Sequence, residues 1–585
     1  MQWATTYRPT SVAHAILSRH QPRNSIAMNA FVQASRLRAI AAATSAPLGS
    51  DTRPAVLRPV AWNAESLRAL LKSTLQGDQV IVVSNRQPHS HHCSEGTVRV
   101  SQSAGGLVTA LEPVARACAG TWIAHGDGDA DRDVVDGSDG WLAVDTTGSY
   151  RLRRIWLSQS QARGHGDGFS NGGLWPLCHM AHVRPRFAKP DWDHYRAVNQ
   201  RFADAVVEEA QRPDPIVLVQ DYHLALLPAL LRERLPRATL VSFWHIPWAH
   251  AEQMSMCPWL PELIEGLLGS DIIGFQTSRH VRNFMESAQA VGRPAAPGAR
   301  PDIATGGRRT RVRDYPISIA WPGAAEDCAD EAGGAPLTAD LCMASIPASR
   351  FLTTSGSPFS AGTKLIVGVD RLDYTKGLVE RLQAIEELLE SKPQWRGQLR
   401  FVQIAAPTRT GTAGYAALHC QLRAEVDRIN ARFAPFGPAP VVLLDTHHDR
   451  QAVTALFRAA DVCLVTSLHD GMNLVCKEFV AARDDEQGVL VLSQFAGATD
   501  ELGQALIVNP YHVAQVADAI HSGLTMPVHE QKRRMRALRA TVKHSNVYRW
   551  AARMLLDAAA VRGGREPGGS EPVGQRNADA LDGRP

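Results

Sequence analysis

The sequence predicts an α/β protein of two Rossmann-like domains, and three observations carry that prediction. Short apolar runs of strand length recur along the chain, each ending in polar or glycine-rich residues, as buried strands of a parallel sheet do. Amphipathic segments with helical spacing follow the runs, the alternation that builds βαβ units. A stretch rich in Gly, Pro, Ala and Ser, residues 323 to 362, divides the runs into two sets. At 585 residues the chain also exceeds what one core organises.

Composition excludes several function classes. Lys plus Arg (62) nearly balances Asp plus Glu (58), so a net charge of +4 gives no reason to expect a nucleic-acid partner. No apolar run is long enough to span a bilayer, so no membrane partner is expected. The nine cysteines are scattered, with no CxxC pair, which suits a reducing cytoplasm. Residues 1 to about 78 have no acidic residue before Asp51, several arginines and many Ala, Ser and Thr. That composition fits a transit peptide, a disordered extension, or upstream sequence from an early start codon.

The first strand is Gln79 to Val83, ending in Ser84-Asn85-Arg86. The segment Pro88 to Cys93, PHSHHC, invites a metal reading, but no partner ligands lie nearby in sequence and a solvated loop is the better expectation. Ser103-Ala104-Gly105-Gly106-Leu107 then opens a helix through Ala117; a glycine pair there lets backbone approach a ligand closely. Ile216 to Val219 runs into Gln220-Asp221-Tyr222-His223, and Thr239 to Trp244 runs into His245-Ile246-Pro247. Ligands of open parallel sheets sit at the carboxyl ends of strands, and Arg86, Asp221 and His245 all fall there. Ile272 to Thr277 repeats the pattern, and Val312 to Ile319 reads as a further strand.

The second set opens at Lys364 to Val369 and ends in Asp370-Arg371-Leu372-Asp373-Tyr374-Thr375-Lys376-Gly377. Two cations just after a strand suit a diphosphate. Strands follow at Arg400 to Ile404 (then Pro407-Thr408-Arg409) and at Val441 to Leu444. The next unit, Asp461 to Arg483, reads as strand, tight turn at His469-Asp470-Gly471, and helix from Met472. Such a turn offers backbone N–H groups and the positive end of a helix dipole to an anion, with Asp470 and Glu478 on either side for neighbouring hydroxyls. Val489 to Leu492 and Ala505 to Val508 complete the sheet. The domains are therefore drawn as an extension expected to be disordered (1–78), an amino-terminal domain (79–345), a linker (346–362), a carboxyl-terminal domain (363–562) and a disordered tail (563–585).

Taken together, VVSNR (82–86), SAGGL (103–107), LWP (174–176), DYH (221–223), HIP (245–247), RLDYTKG (371–377), DGMNLVCKEFVAAR (470–483) and LSQFAGA (492–498) resemble one family. It is the retaining glycosyltransferases that make trehalose 6-phosphate from a nucleotide-glucose and glucose 6-phosphate. The resemblance implies a GT-B architecture, two Rossmann-like domains facing across a cleft, with a nucleotide-glucose, UDP-glucose foremost, as donor, glucose 6-phosphate as acceptor, and no cofactor or essential metal. The alternatives are the same donor chemistry on another phosphorylated acceptor such as glycerol 3-phosphate, or a non-catalytic regulatory homologue. It implies catalytic roles for Arg371, Lys376, Asp221 and His245. Donor binding falls to Gly106, Asp470, Gly471, Met472, Asn473, Leu474 and Glu478, and acceptor binding to Arg86, Trp175, Asp221 and Arg409. Oligomeric state stays open.

Four positions depart from the family pattern. Gly166 stands where a tyrosine is common, nine residues before Trp175; His125 replaces a tryptophan; His469 replaces an arginine; and Trp248-Ala249-His250 follows HIP. Two of the four concern the acceptor pocket, and His165 is expected to swing toward it to compensate for Gly166.

Overall fold

Two parallel sheets carry the fold. In the computed structural model residues 62–75, 79–94, 96–102, 106–135, 140–143, 150–180, 182–298, 300–322, 362–408 and 413–563 are described. The first sheet holds β1 (Val80–Ser84), β4 (Thr121–His125), β5 (Trp141–Ala143), β6 (Arg151–Ile155), β7 (Ile216–Gln220), β8 (Thr239–Phe243), β9 (Ile272–Phe275), β10 (Asp302–Thr305) and β11 (Arg308–Asp314). Its order is β10-β11-β9-β8-β7-β1-β4-β6-β5, and only β10 and β5, at the two edges, run antiparallel to their neighbours. A separate antiparallel hairpin joins β2 (His89–Ser94) to β3 (Thr97–Gln102).

The second sheet holds β12 (Lys364–Arg371), β13 (Leu399–Ala406), β14 (Val441–Leu444), β15 (Val462–Val465), β16 (Val489–Ser493) and β17 (Leu506–Val508), in the order β14-β13-β12-β15-β16-β17. Counted from β12 this is 3-2-1-4-5-6, the doubly wound order whose ligand crevice opens between strands 1 and 4. The first sheet reverses direction in the same way between β1 and β7. The topology thus picks out two crevices, at the ends of β1 and β7 and at the ends of β12 and β15. The two-domain α/β expectation holds.

Particular segments differ from expectation. Helix α1 (Ala64–Thr74) lies within the stretch read as extension, capped by Asn63 and Ser66, whose side chains each accept from the other's backbone N–H at 2.8 Å. Leu67 is fully buried, and Trp62 O accepts from Asn546 Nδ2 at 2.8 Å. Ordered chain therefore starts before residue 79, because that helix has a late-sequence partner to pack on. Residues 1–61, the linker 346–361 and the tail 564–585 lie outside the described residues.

The PHSHHC segment is a strand, not a solvated loop: His91 is buried, its N and Nδ1 on Asp131 Oδ1 at 2.8 and 3.1 Å. Arg154 of β6, wholly buried, pairs with Asp131 at 3.0 Å and donates to Gln87 Oε1 at 2.8 Å, so the charges buried beside His91 are matched. The strand expected over Val312 to Ile319 instead occupies Arg308–Asp314, paired on one side with β10 and on the other with β9.

Helix α2 (Gly106–Cys118) follows the hairpin. The last helix, α3 (Val547–Gly563), crosses back to the first sheet: Trp550 meets Phe243 edge-on at 5.1 Å, Tyr315 Oη donates to Asp557 at 2.5 Å, and Arg562 pairs with Asp214 at 2.9 Å. The carboxyl-terminal domain drawn from sequence as one block therefore lends its final helix to the other half.

Candidate functional site

On the first half the site is built from strand ends. Arg86 lies just past β1, Asp221 just past β7, His245 two residues past β8 and Gln276 just past β9. Asp221 has φ +75° and ψ 168°, a region almost reserved for glycine. Holding it there costs about 1–3 kcal/mol, so the fold fixes this carboxylate against local preference. Its N–H donates to Phe243 O at 2.7 Å, and Oδ1 accepts from the His245 N–H at 3.2 Å. Burial pushes the carboxyl up to about 7; the N–H groups of Tyr222 and His245 and the cations Arg86 and Arg371 pull the other way.

His245 is kept neutral, burial lowering its pKa to about 3. Nε2 lies 2.9 Å from Gln220 Oε1, and that hydrogen bond fixes the ring's orientation. Phe243 packs edge-on against the ring at 4.6 Å, with Trp550 of α3 beyond it at 6.4 Å.

On the second half Arg371 ends β12, and Lys376 follows in a 3-10 turn. Lys376 Nζ lies 2.5 Å from Asp470 Oδ2, both nearly buried. Burial alone would raise the Asp470 pKa, but Lys376 and Asn473 Nδ2, 3.3 Å away, more than offset it and hold the carboxylate ionised.

Sequence placed the following helix from Met472; it runs Val475–Ala482 (α4), and Gly471 to Leu474 form its approach. Asn473 takes φ +77° there, a conformation that asparagine tolerates better than most residues, so the helix starts three residues late. The N–H groups of Gly471, Met472, Asn473 and Leu474 take no partner among the described residues. Unused donors at a helix amino terminus are the geometry that suits an anion. Glu478, one turn into α4, is half-buried, and burial pushes its carboxyl up to about 7 against the pull of Arg450.

The two halves meet at this point. A Cβ on Gly106, at the start of α2, would stand 2.9 Å from Leu474 Cδ1; one on Gly471 would stand 2.3 Å from His245 O. Across the same seam the Arg371 guanidinium lies 5.5 Å from the Trp175 ring centroid. The structure thus gathers Arg86, Trp175, Asp221, His245 and Gly106 from one half with Arg371, Lys376, Asp470 to Leu474 and Glu478 from the other. Arg409 lies outside the described residues. No three His, Cys, Asp or Glu side chains converge as metal ligands among the described residues.

The chain can now be set beside known proteins. The model of glycosyltransferase family 20 matches residues 78–560. The chain belongs to glycosyltransferase family 20. It is 39% identical over 506 residues to the trehalose-6-phosphate synthase of Mycolicibacterium smegmatis, covering 85% of this chain and 94% of that one. Against the Mycobacterium avium enzyme of the same name it is 39% identical over 494 residues, 83% of this chain and 96% of the other. Among solved structures, the UDP-forming α,α-trehalose-phosphate synthase from Burkholderia xenovorans in complex with glucose-6-phosphate superposes with a TM-score of 0.70 at 33% identity, covering 82% of this chain and 99% of that one. The E. coli protein bound with UDP-2-fluoro glucose gives 0.70 at 32% identity, with 82% and 99% covered. The fold of this family 20 member is accordingly GT-B.

The four departures from the family pattern fall differently. Trp248 belongs to the core, its Nε1 donating to Ser287 Oγ at 2.9 Å and its ring 4.8 Å from Trp244. His469 is buried, its ring 6.5 Å from that of His179, and burial lowers its pKa to about 4. It lines a cavity of about 560 Å³ together with Leu177, Phe495 and Tyr511. His125, at the end of β4, donates its backbone N–H to Asn85 O at 3.3 Å, next to Arg86. Gly166 lies in a π-helical segment, Arg163–Leu174, and a Cβ there would have nothing within 4 Å. Its neighbours Gly164 and Gly168 have no such room: a Cβ would come within 2.4 Å of His194 and 2.3 Å of Asp191. The expectation that His165 swings in is corrected: it is buried, stacked on Tyr195 at 5.4 Å, with Nε2 on His223 O at 3.0 Å.

Sequence reading missed Gln276, Lys477 and Trp550. The first two are buried polar groups with partners distant in sequence, Gln276 within its own half and Lys477 across the two halves, and Trp550 comes from a helix that nothing local assigns to the first sheet.

Proposed function

We propose that this family 20 member is a retaining glucosyltransferase that moves glucose from UDP-glucose to glucose 6-phosphate, releasing UDP and forming α,α-trehalose 6-phosphate. One observation carries the reading: the two topological crevices face each other closely enough for Arg371 to reach the Trp175 ring and, with Arg86, to influence Asp221. A diphosphate site and a second polar pocket therefore share one cleft. The relatives named as trehalose-6-phosphate synthases, one solved with glucose-6-phosphate and one with UDP-2-fluoro glucose, support the choice of substrates.

In this reading the diphosphate lies on the free N–H groups of Gly471 to Leu474, held by Arg371 and Lys376, with Gly106 closing over it. Glu478 takes the ribose hydroxyls and Asp470 those of the glucose, while the neutral His245 contacts the transferred sugar. Arg86, Trp175, Asp221 and Arg409 hold the acceptor. As the bond from the anomeric carbon to the β-phosphate oxygen breaks, the acceptor hydroxyl attacks from the same face and its proton passes to that departing oxygen. The protein mainly positions both substrates and stabilises growing negative charge, a role two cations fill without a cofactor. The soluble, phosphorylated substrates suit a cytoplasmic setting.

The test is a product assay with glucose 6-phosphate across UDP-, GDP- and ADP-glucose. UDP-glucose is expected to give UDP and a non-reducing disaccharide phosphate; absence of turnover with all three overturns the reading. Gly166 favours one second reading, a different phosphorylated acceptor: a Cβ there would meet nothing within 4 Å, so the side chain common in the family is missing without any neighbour having taken its place. Glycerol 3-phosphate belongs in the same panel, and product from it but not from glucose 6-phosphate would select that reading.

Glu478 sets an expected pH dependence. Its folded pKa of about 7 lies above the ordinary carboxylate value, so it is protonated below about 7 and ionised above. If the ionised form grips the ribose, kcat/KM for UDP-glucose rises about tenfold per unit up to pH 7 and then levels. Glu478→Gln should abolish that limb. A limb unchanged in the variant would move the ionisation to Asp221, the other carboxyl near 7.

A further inference from the structure

Lys477 is 1% exposed, an unusual place for an ammonium, and sits on α4 directly before Glu478. It does not reach the cleft. Its Nζ donates to Glu501 Oε2 at 2.5 Å and, across the two halves, to Ile317 O at 2.8 Å. Ile317 N donates in turn to Gln276 Oε1 at 3.0 Å, and Gln276 Nε2 donates to His245 O at 3.2 Å. That last carbonyl is the one against which Gly471 packs. Three hydrogen bonds run from His245 through Gln276 and Ile317 to Lys477 on α4, and the close packing of Gly471, just before α4, on the His245 carbonyl closes the circuit. Both polar side chains in the circuit are buried, so their bonds have no water to replace them.

We propose that Lys477 and Gln276 form an interdomain brace, positioning residues that fix the amino terminus of α4 against His245 and so set the spacing between the diphosphate site and the transferred sugar. This rests on the glucosyltransfer reading above. Lys477 presents its ammonium to the half it does not belong to, and Gln276 uses both ends of its amide to join strand ends to the segment that Lys477 grips. Neither side chain touches a substrate atom. Their effect is on where α4 stands when the cleft is loaded.

The test is a double-mutant cycle of Lys477→Met and Gln276→Leu, read as kcat/KM for UDP-glucose at saturating glucose 6-phosphate. Each single change is expected to lower that ratio about 10- to 100-fold, since displacements of the order of 1 Å at a reacting centre have that effect. The KM for glucose 6-phosphate should stay within about twofold, as Arg86 and Trp175 stand outside the circuit. The two side chains do not bond each other, so independent structural roles would make their effects multiply. One brace makes the second change cost little once the first has broken the circuit, a departure from multiplicative behaviour above about threefold. Lys477→Gln, which can still donate to the Ile317 carbonyl, should recover part of the loss, and it replaces Lys477→Met in the cycle if that variant does not fold. Multiplicative effects within about twofold, or equal losses toward both substrates, overturn the brace. Failure of the wild-type protein to use UDP-glucose would instead strike the functional reading, so the two failures are distinguishable.

Discussion

Lys376→Ala is expected to lower kcat about 10²- to 10³-fold, the range for losing one preorganised charge aimed at a developing anion. Lys376 sits at the mouth of the α4 anion site with its ammonium 2.5 Å from Asp470. In the ground state the diphosphate's charge is spread over both phosphates; as the glycosidic bond breaks, it grows on the departing oxygen. A fixed cation therefore stabilises the transition state more than bound UDP-glucose, so kcat falls more than KM rises. The alanine variant also leaves Asp470 buried without its counter-charge, and breaking a buried pair is costly. Lys376→Ala/Asp470→Asn, which removes both charges, separates that effect: stability should recover while kcat does not. Arg371→Ala acts on the same charge and should lower kcat in the same direction. Steady-state kinetics with UDP-glucose decide the matter, and a rise confined to KM would mean that both cations merely hold the substrate.

What the sequence revealed and what it concealed separate by range of interaction. Strand runs such as Ile216 to Gln220 and Val489 to Ser493 are buried throughout, so apolar continuity alone marks them. Their carboxyl ends, and hence Arg86, Asp221, His245 and Arg371, followed from parallel-sheet topology. Features fixed by distant partners were not legible. The hairpin over PHSHHC depends on Asp131 and Arg154, and α1 depends on α3, which arrives nearly five hundred residues later. The late start of α4 has a local cause, the left-handed Asn473, but an Asn within an apolar-periodic run does not announce that conformation. Lys477 reads as an ordinary solvated helix lysine until the Ile317 carbonyl is placed over it. The positions of Gly106 and Gly471 were legible, but not their reason: each glycine makes room for the other half of the molecule.

That reason has a consequence at Gly471. Gly471→Ala is expected to lower kcat/KM for UDP-glucose at least about 10²-fold while the protein still folds. The new methyl would lie 2.3 Å from His245 O and 3.2 Å from the Ile246 backbone. No rotamer relieves a Cβ, and the carbonyl is held by Gln276 as well as by its own chain. The loop cannot retreat either, because Gly471 O on its other side already sits where a Cβ on Gly497 would come within 2.0 Å. Overpacking of this kind costs about 1–3 kcal/mol, which two sheets with their own cores can absorb. The strain is relieved by parting the seam, and the parts displaced are His245 on one side and the anion site on the other. A shift of the order of 1 Å between reacting groups is enough for the expected loss. Gly503→Ala, where a Cβ meets nothing within 4 Å, is the control and should retain wild-type kinetics. Kinetics and a thermal melt on both variants give the answer. Wild-type kcat/KM in Gly471→Ala would mean that the halves do not have to close on this glycine for transfer to occur.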